Sequence, residues 1–104
     1  MALAEVFRAL GDPIRLEIVE RLTNGSPCTI STVSNDLGIT RQGARKHLQV
    51  LVEAKLVALQ PKGRDVFVEL DRVVLDEAKG YIAELESRWD RRLEALRKFV
   101  EEDH

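Results

Sequence analysis

The stretch Leu37-Gly38-Ile39-Thr40-Arg41-Gln42-Gly43-Ala44-Arg45-Lys46-His47-Leu48-Gln49-Val50-Leu51 decides the fold. Gly38 stands where a helix ends in a left-handed residue, and Thr40 is a good N-cap for a second helix. The first of these helices begins near Thr29, capped by Thr29 or Ser31, and reaches Leu37. The second runs from Thr40 to about Ala54. Joined by Leu37-Gly38-Ile39-Thr40, they make a helix, a tight turn and a helix, with glycine where this motif wants it.

At about 100° per residue the second helix divides into two sides. Arg41, Arg45, Gln49, Gln42 and Lys46 form a polar band, while Ala44, Leu48, Leu51, His47 and Ala54 gather in an apolar arc. Val50 and Val52 fall outside that arc. Arginine can donate two hydrogen bonds to guanine O6 and N7, and glutamine can pair with adenine N6 and N7. Arg41, Gln42, Arg45 and Gln49 are therefore candidate base-reading residues. Thr40, at the positive end of the helix, and Lys46 are candidate phosphate contacts. Gly43 would let the backbone approach closely. A solvated polar face is the competing reading, and the flanking segments decide against it.

Upstream, Leu3, Val6, Phe7 and Leu10 have the spacing of one helical face over Ala2 to Leu10, and Gly11 ends it. Asp12-Pro13 starts another helix, with aspartate as N-cap and proline at the first helical position. Ile14, Ile18, Val19 and Leu22 line its inner side. Asn24-Gly25-Ser26-Pro27 is a turn cluster, and Cys28-Thr29-Ile30 a short extended piece. Downstream, Leu56–Gln60 and Val66–Leu70 read as two strands, with Pro61-Lys62-Gly63-Arg64-Asp65 as the connection. Lys62 and Arg64 flank Gly63 at the tip and can reach sugar-phosphate oxygens beside a groove.

The chain has 104 residues, 44% of them hydrophobic and 33% charged, which indicates one folded domain over 1–104 instead of a disordered segment. No apolar run is long enough for a membrane span, and Met1 to Glu5 lack the features of a secretory signal, so a cytoplasmic protein is expected. The net charge of −2 argues against indiscriminate coating of nucleic acid. Its distribution is uneven: residues 1–64 carry nine Lys/Arg against six Asp/Glu, and residues 65–104 seven against twelve. Gly38 to Val52 holds Arg41, Arg45 and Lys46 with no acid, a local positive field of the kind a specific DNA binder uses.

The segments Phe7-Arg8-Ala9-Leu10-Gly11-Asp12-Pro13-Ile14-Arg15-Leu16-Glu17-Ile18, Gly38 to Gln42, Lys46 to Leu51 and Glu53 to Val57 together resemble the ArsR-type winged helix-turn-helix regulators. The likeness runs over about residues 3–100. It implies a mainly α winged helix-turn-helix fold of five helices and a two-stranded wing. It also implies a homodimeric transcription factor, usually a repressor, that binds double-stranded DNA. Thr40 to Gln49 would be its recognition helix and Pro61 to Asp65 its wing.

The metal-sensing members of that family resemble each other in a cysteine pair before the recognition helix or in Asp/His ligands on the terminal helix. Here Ile30 to Leu37 has no cysteine and Val73 to Val100 no histidine, so no metal and no cofactor are expected. Cys28, the only cysteine, reads as a small packed residue. His47 reads as a packed histidine with one ring nitrogen satisfied. The other histidine, His104, lies at the chain end, so no nucleophile has a general base and an enzyme is not expected.

From Asp71 to about Val100 the pattern is helical again. Leu75, Ala78, Ile82, Leu85, Trp89, Leu93, Leu96 and Val100 form a near-heptad seam with one irregular step after Trp89, widened by Tyr81 and Phe99. With Leu3, Val6, Phe7 and Leu10 of the first helix this is more apolar surface than one small domain hides. A twofold dimer built on Leu3, Val6, Phe7, Ile82, Leu85, Trp89, Leu93 and Leu96 is expected, with an inverted-repeat operator. Two other readings share the fold. One is a protein-interaction module whose polar band meets an acidic partner. The other is a sensor gated by an unidentified small molecule bound between the terminal helix and the body.

Overall fold

The computed structural model describes residues 2–25 and 28–102; Ser26 and Pro27 of the expected turn and the terminal His104 lie outside the described residues. The order is α1 (Ala2–Leu10), α2 (Pro13–Leu22), α3 (Ile30–Leu37), α4 (Arg41–Glu53), β1 (Val57–Lys62), β2 (Asp65–Leu70) and α5 (Arg72–Glu102). Among the described residues, five helices and one antiparallel hairpin give the mainly α winged helix-turn-helix class.

Each helix boundary has a local cause. Asp12 Oδ2 accepts the Ile14 and Arg15 amides at 2.9 and 3.1 Å, so α2 begins where the Asp-Pro pair sets it. Thr29, and not Ser31, caps α3. Its Oγ1 accepts the Thr32 amide while Thr32 Oγ1 accepts the Thr29 amide, a reciprocal capping box. Gly38 ends α3 at φ 63°, a conformation that costs a Cβ-bearing residue. The Ile39 amide then reaches back to the Ser34 carbonyl at 3.1 Å, and buried Ser34 Oγ donates to the Ile39 carbonyl at 2.7 Å. That pair of bonds holds the turn between α3 and α4 closed.

At the far end of α4, Lys55 takes the left-handed place with φ 64°. The Leu56 amide bonds to the Leu51 carbonyl at 2.9 Å, and both leucines are fully buried. This is a Schellman stop with its apolar contact, made without the usual glycine.

The hairpin is tighter than its sequence suggests. Pairing runs from Val57↔Leu70 through Pro61↔Val66 to Lys62↔Asp65, so Pro61, Lys62 and Asp65 belong to the strands. Only Gly63 and Arg64 turn the chain, with Gly63 at φ 62° in the first turn position, as a II′ hairpin requires. Pro61 is tolerated because β1 is an edge strand there. On its other edge β2 is tied to the segment before α3: the Val68 amide donates to the Cys28 carbonyl at 2.8 Å, and Thr29 bridges Phe67.

The core sits where these elements meet. Val6 and Ala9 of α1, Ile18 and Val19 of α2, Val33 of α3, and Ala44, Leu48 and Leu51 of α4 pack with Leu56, Val57 and Val68 of the hairpin region and Val74 and Ala78 of α5. Each large aliphatic side chain among them stabilises by about 1.5–3 kcal/mol through burial. α5 leaves this core after Ala78. Of its 31 residues only Val74 and Ala78 are buried, and the remainder projects as a rod that stretches the molecule to 71 × 25 × 24 Å.

Candidate nucleic-acid interface

The polar band of α4 is where its sequence puts it. Arg41, Gln42, Arg45, Lys46 and Gln49 are exposed, and Ala44, Leu48 and Leu51 are buried against α2, α3 and the hairpin. Val50 and Val52, which broke the pattern on the wheel, are half-buried. His47 is packed as expected, its Nδ1 3.3 Å from Arg15 Nη1 and 3.8 Å from Asp12 Oδ2. Hydrogen bonds to Asp12 from the Arg15 amide foremost, with the nearby guanidinium, hold its carboxyl below the ordinary aspartate range.

The side chains of the band differ in their freedom. Among the described residues, Gln42, Arg45, Lys46, Lys62 and Arg64 make no side-chain hydrogen bond or ion pair, so their polar ends are available to a ligand. Gln49 Nε2 donates to Glu53 Oε1 at 3.3 Å, which draws it toward an anion at the end of α4. Arg41 Nη2 donates to Ser31 Oγ at 2.6 Å. Thr40 Oγ1 accepts the Gly43 amide at 2.9 Å and caps α4. Gly43 serves that cap: a Cβ built on it would meet Thr40 Oγ1 at 3.1 Å. Lys62 lies directly across the hairpin from Asp65, the acid at the other end of the expected connection.

Ser34, and the engagement of the cap candidate Ser31 with Arg41, were missed in the sequence because each acts through the turn, Ser34 on the Ile39 carbonyl and Ser31 on Arg41. Their only signal was a pair of serines three residues apart in α3. Among the described residues, no group of three His, Cys, Asp or Glu could hold a metal ion. Cys28 is half-buried and lines a cavity of about 520 Å³ with Leu22, Phe67 and Leu70. That cavity lies between the end of α2 and the hairpin, away from the space between α5 and the body that the rival sensor reading invokes. No helix is long and apolar enough to cross a membrane among the described residues.

The expected interface residues separate into two groups. Ile82, Leu85, Trp89, Leu93 and Leu96 are between 43% and 59% exposed, which leaves an apolar stripe uncovered in one chain. Phe7 stands beside its base, with its ring 6.3 Å from that of Tyr81, and Leu3 is half-buried. Val6 does not belong with them. It is 0% exposed inside its own core, because it faces inward one residue before Phe7, so it supports α1 from beneath and has no surface left to offer a second chain.

Residues 10–60 match the family model described as a helix-turn-helix domain. The transcriptional repressor SdpR of Bacillus subtilis is 25% identical over 85 residues, which are 82% of this chain and 93% of the relative. The HTH-type transcriptional regulator CmtR of Mycobacterium tuberculosis is 34% identical over 84 residues, 81% of this chain and 70% of the relative. Among solved structures, an ArsR-like transcriptional regulator from Rhodococcus sp. RHA1 superposes with a TM-score of 0.87 at 31% identity, covering 96% of this chain and 91% of that one. The likeness therefore takes in the hairpin and α5 as well as the helix-turn-helix.

Proposed function

This chain belongs to the ArsR-type winged helix-turn-helix transcriptional regulators, which bind DNA, and from that premise we propose that it is a homodimeric repressor acting in the cytoplasm. Each α4 enters a major groove by its N-terminal half, with the two grooves about 10 bp apart on an inverted-repeat operator. The observation that carries this reading is the unengaged set Gln42, Arg45 and Lys46 on the exposed face of a helix whose opposite face is locked in the core. Gln42 and Arg45 read base edges, with Gln49 in reach of the same groove once it leaves Glu53. Thr40, Lys46, Lys62 and Arg64 hold phosphates.

The dimer supplies the second reading helix. The uncovered stripe of α5 with Phe7 and Leu3 at its base is the surface that joins the subunits, and its burial at about 25 cal/mol per Å² is the driving force. Repression follows by occupying the promoter; the Bacillus subtilis relative is itself named a transcriptional repressor. No metal or cofactor enters the reading.

Selection of binding sites from random duplex DNA tests the proposal. A twofold-symmetric consensus is expected, bound with a steep loss of affinity as salt rises. Arg45→Ala is expected to relax preference at one base pair per half-site by about 1–3 kcal/mol, whereas Lys62→Ala weakens all duplexes alike. No enrichment of any sequence, or equal loss on specific and random duplex for Arg45→Ala, would contradict it.

A further inference from the structure

Arg41 and Ser31 are joined across the helix-turn-helix: Nη2 of the arginine, the first residue of α4, donates to Oγ of the serine in the first turn of α3 at 2.6 Å. We infer that Ser31 is a positioning residue that turns Arg41 onto the sugar-phosphate backbone, so that Arg41 supplies sequence-independent affinity instead of reading a base. The inference rests on the DNA-binding reading above and deepens it.

Three observations converge. The first is the tether itself, which holds the guanidinium against the first turn of α3. The second is angular. On the wheel Arg41 lies about 20° from Leu48, which is 1% exposed, while Arg45, Gln49 and Gln42 lie about 60°, 100° and 120° from it. Arg41 thus sits at the border of the reading face and not at its centre. The third is the docking geometry of this motif, in which the helix before the recognition helix crosses the phosphate backbone while the second enters the groove. A guanidinium fastened to the first turn of α3 is therefore carried to the rim of the groove.

The chemistry suits a phosphate. One of the five N–H donors of Arg41 is spent on Ser31, and the others are open. Ser31 Oγ accepts from Arg41 and keeps its own proton to donate. Together they offer several donors to one anionic oxygen cluster, with the arginine already ordered before DNA arrives, so less side-chain entropy is lost on binding. Neighbouring Thr29 and Thr32 are engaged in the capping box, which fixes the backbone from which Ser31 projects.

The test compares wild type, Ser31→Ala, Ser31→Thr, Arg41→Ala and the Ser31→Ala/Arg41→Ala double variant on the selected duplex and on a scrambled duplex, across a salt series. Arg41→Ala is expected to weaken both duplexes by the same factor, roughly fivefold, and to lower the slope of log affinity against log salt by about one. Ser31→Ala lowers both affinities two- to threefold or roughly so, Ser31→Thr restores them, and Ser31→Ala costs nothing further once Arg41 is gone. Thermal unfolding of each variant separates a lost contact from a lost fold, and Arg41→Lys, which keeps the charge, retains the salt slope. Relaxed preference at a single base pair in Arg41→Ala, or an equal effect of Ser31→Ala with and without Arg41, overturns the assignment. A wild-type protein that binds neither duplex overturns the DNA-binding reading itself, a result distinct from either of these.

Discussion

Arg15 Nη1 lies 3.3 Å from His47 Nδ1, and the same guanidinium donates from Nε to the Ala9 carbonyl at 2.8 Å. One side chain thereby joins the end of α1, the first turn of α2 and the inner side of α4. The Ala9 carbonyl belongs to the last turn of α1, where intrahelical partners run out. The corner between α1 and α2 and the proposed recognition helix α4 are in this way one mechanical unit.

Replacing Arg15 by alanine leaves the Ala9 carbonyl and the His47 nitrogen without their partner. The expected cost is about 1–3 kcal/mol, read as a lower midpoint in urea unfolding. Arg15→Lys recovers only part of it, because a single ammonium cannot serve both acceptors as the planar fork does.

Acid should act on the same corner. Asp12 has its carboxyl held below the ordinary value in the folded chain, by the Arg15 amide above all. A group with a depressed folded pKa stabilises above its unfolded value and loses that contribution as pH falls through the folded one. Asp12→Asn keeps a cap acceptor but cannot ionise. The advantage of wild type over this variant in urea midpoint is expected to be constant above pH ~5 and to shrink below pH ~4. A difference that stays constant down to pH 3 would contradict the assignment.

The cap of α4 gives a paired expectation. Thr40→Ala removes the acceptor of the Gly43 amide and should cost about 1 kcal/mol. Gly43→Ala would normally stabilise a helix by about 0.5–1 kcal/mol. With its Cβ 3.1 Å from Thr40 Oγ1, that gain should be cancelled in wild type and recovered in the Thr40→Ala background. Chemical denaturation of the four proteins reads this coupling directly.

A charge on the uncovered stripe separates assembly from folding. Leu93 is 45% exposed and far from the core, so Leu93→Glu should leave the chain folded by circular dichroism. Sedimentation should then show a monomer, with operator affinity down by a hundredfold or about that, since one reading helix is lost from the complex. An intact dimer would remove α5 from the interface.

Much of this was legible before any coordinates. Asp12-Pro13, Gly38 and Thr40 act through bonds to residues within four positions of themselves, so their roles follow from local sequence. The alternation of α4 was readable for the same reason, since a helix fixes which residues share a face. What was not legible depends on contacts between elements. The hairpin was expected to have a longer connection because Pro61 resembles a loop residue, and only pairing with Val66 makes it part of an edge strand. Val6 and Phe7 are adjacent and both apolar, and nothing local says which one faces the core. The engagement of Arg41 with Ser31 spans the whole turn and has no signature in either helix alone.

The apolar stripe of α5 carries a similar lesson. Val74, Ala78, Ile82, Leu85, Trp89, Leu93 and Leu96 follow steps of 4, 4, 3, 4, 4 and 3, which is an 11-residue repeat and not a strained heptad. At about 3.67 residues per turn such a face stays almost parallel to a straight helix axis. The irregular step at Trp89 is therefore the rule of this helix. It carries the buried face of Val74 and Ala78 outward in line.

The bridge from β2 to the Cys28-Thr29 segment has a mechanical consequence. It fastens the middle of β2 to the chain entering α3, so the Gly63 tip cannot swing without dragging the helix-turn-helix along. The span from that tip to α4 is consequently a built-in gauge, set by the backbone alone. On the proposed docking, a duplex whose groove width departs from it must deform to be gripped, so stiff and pliant sequences are expected to be sorted even at base pairs no side chain touches.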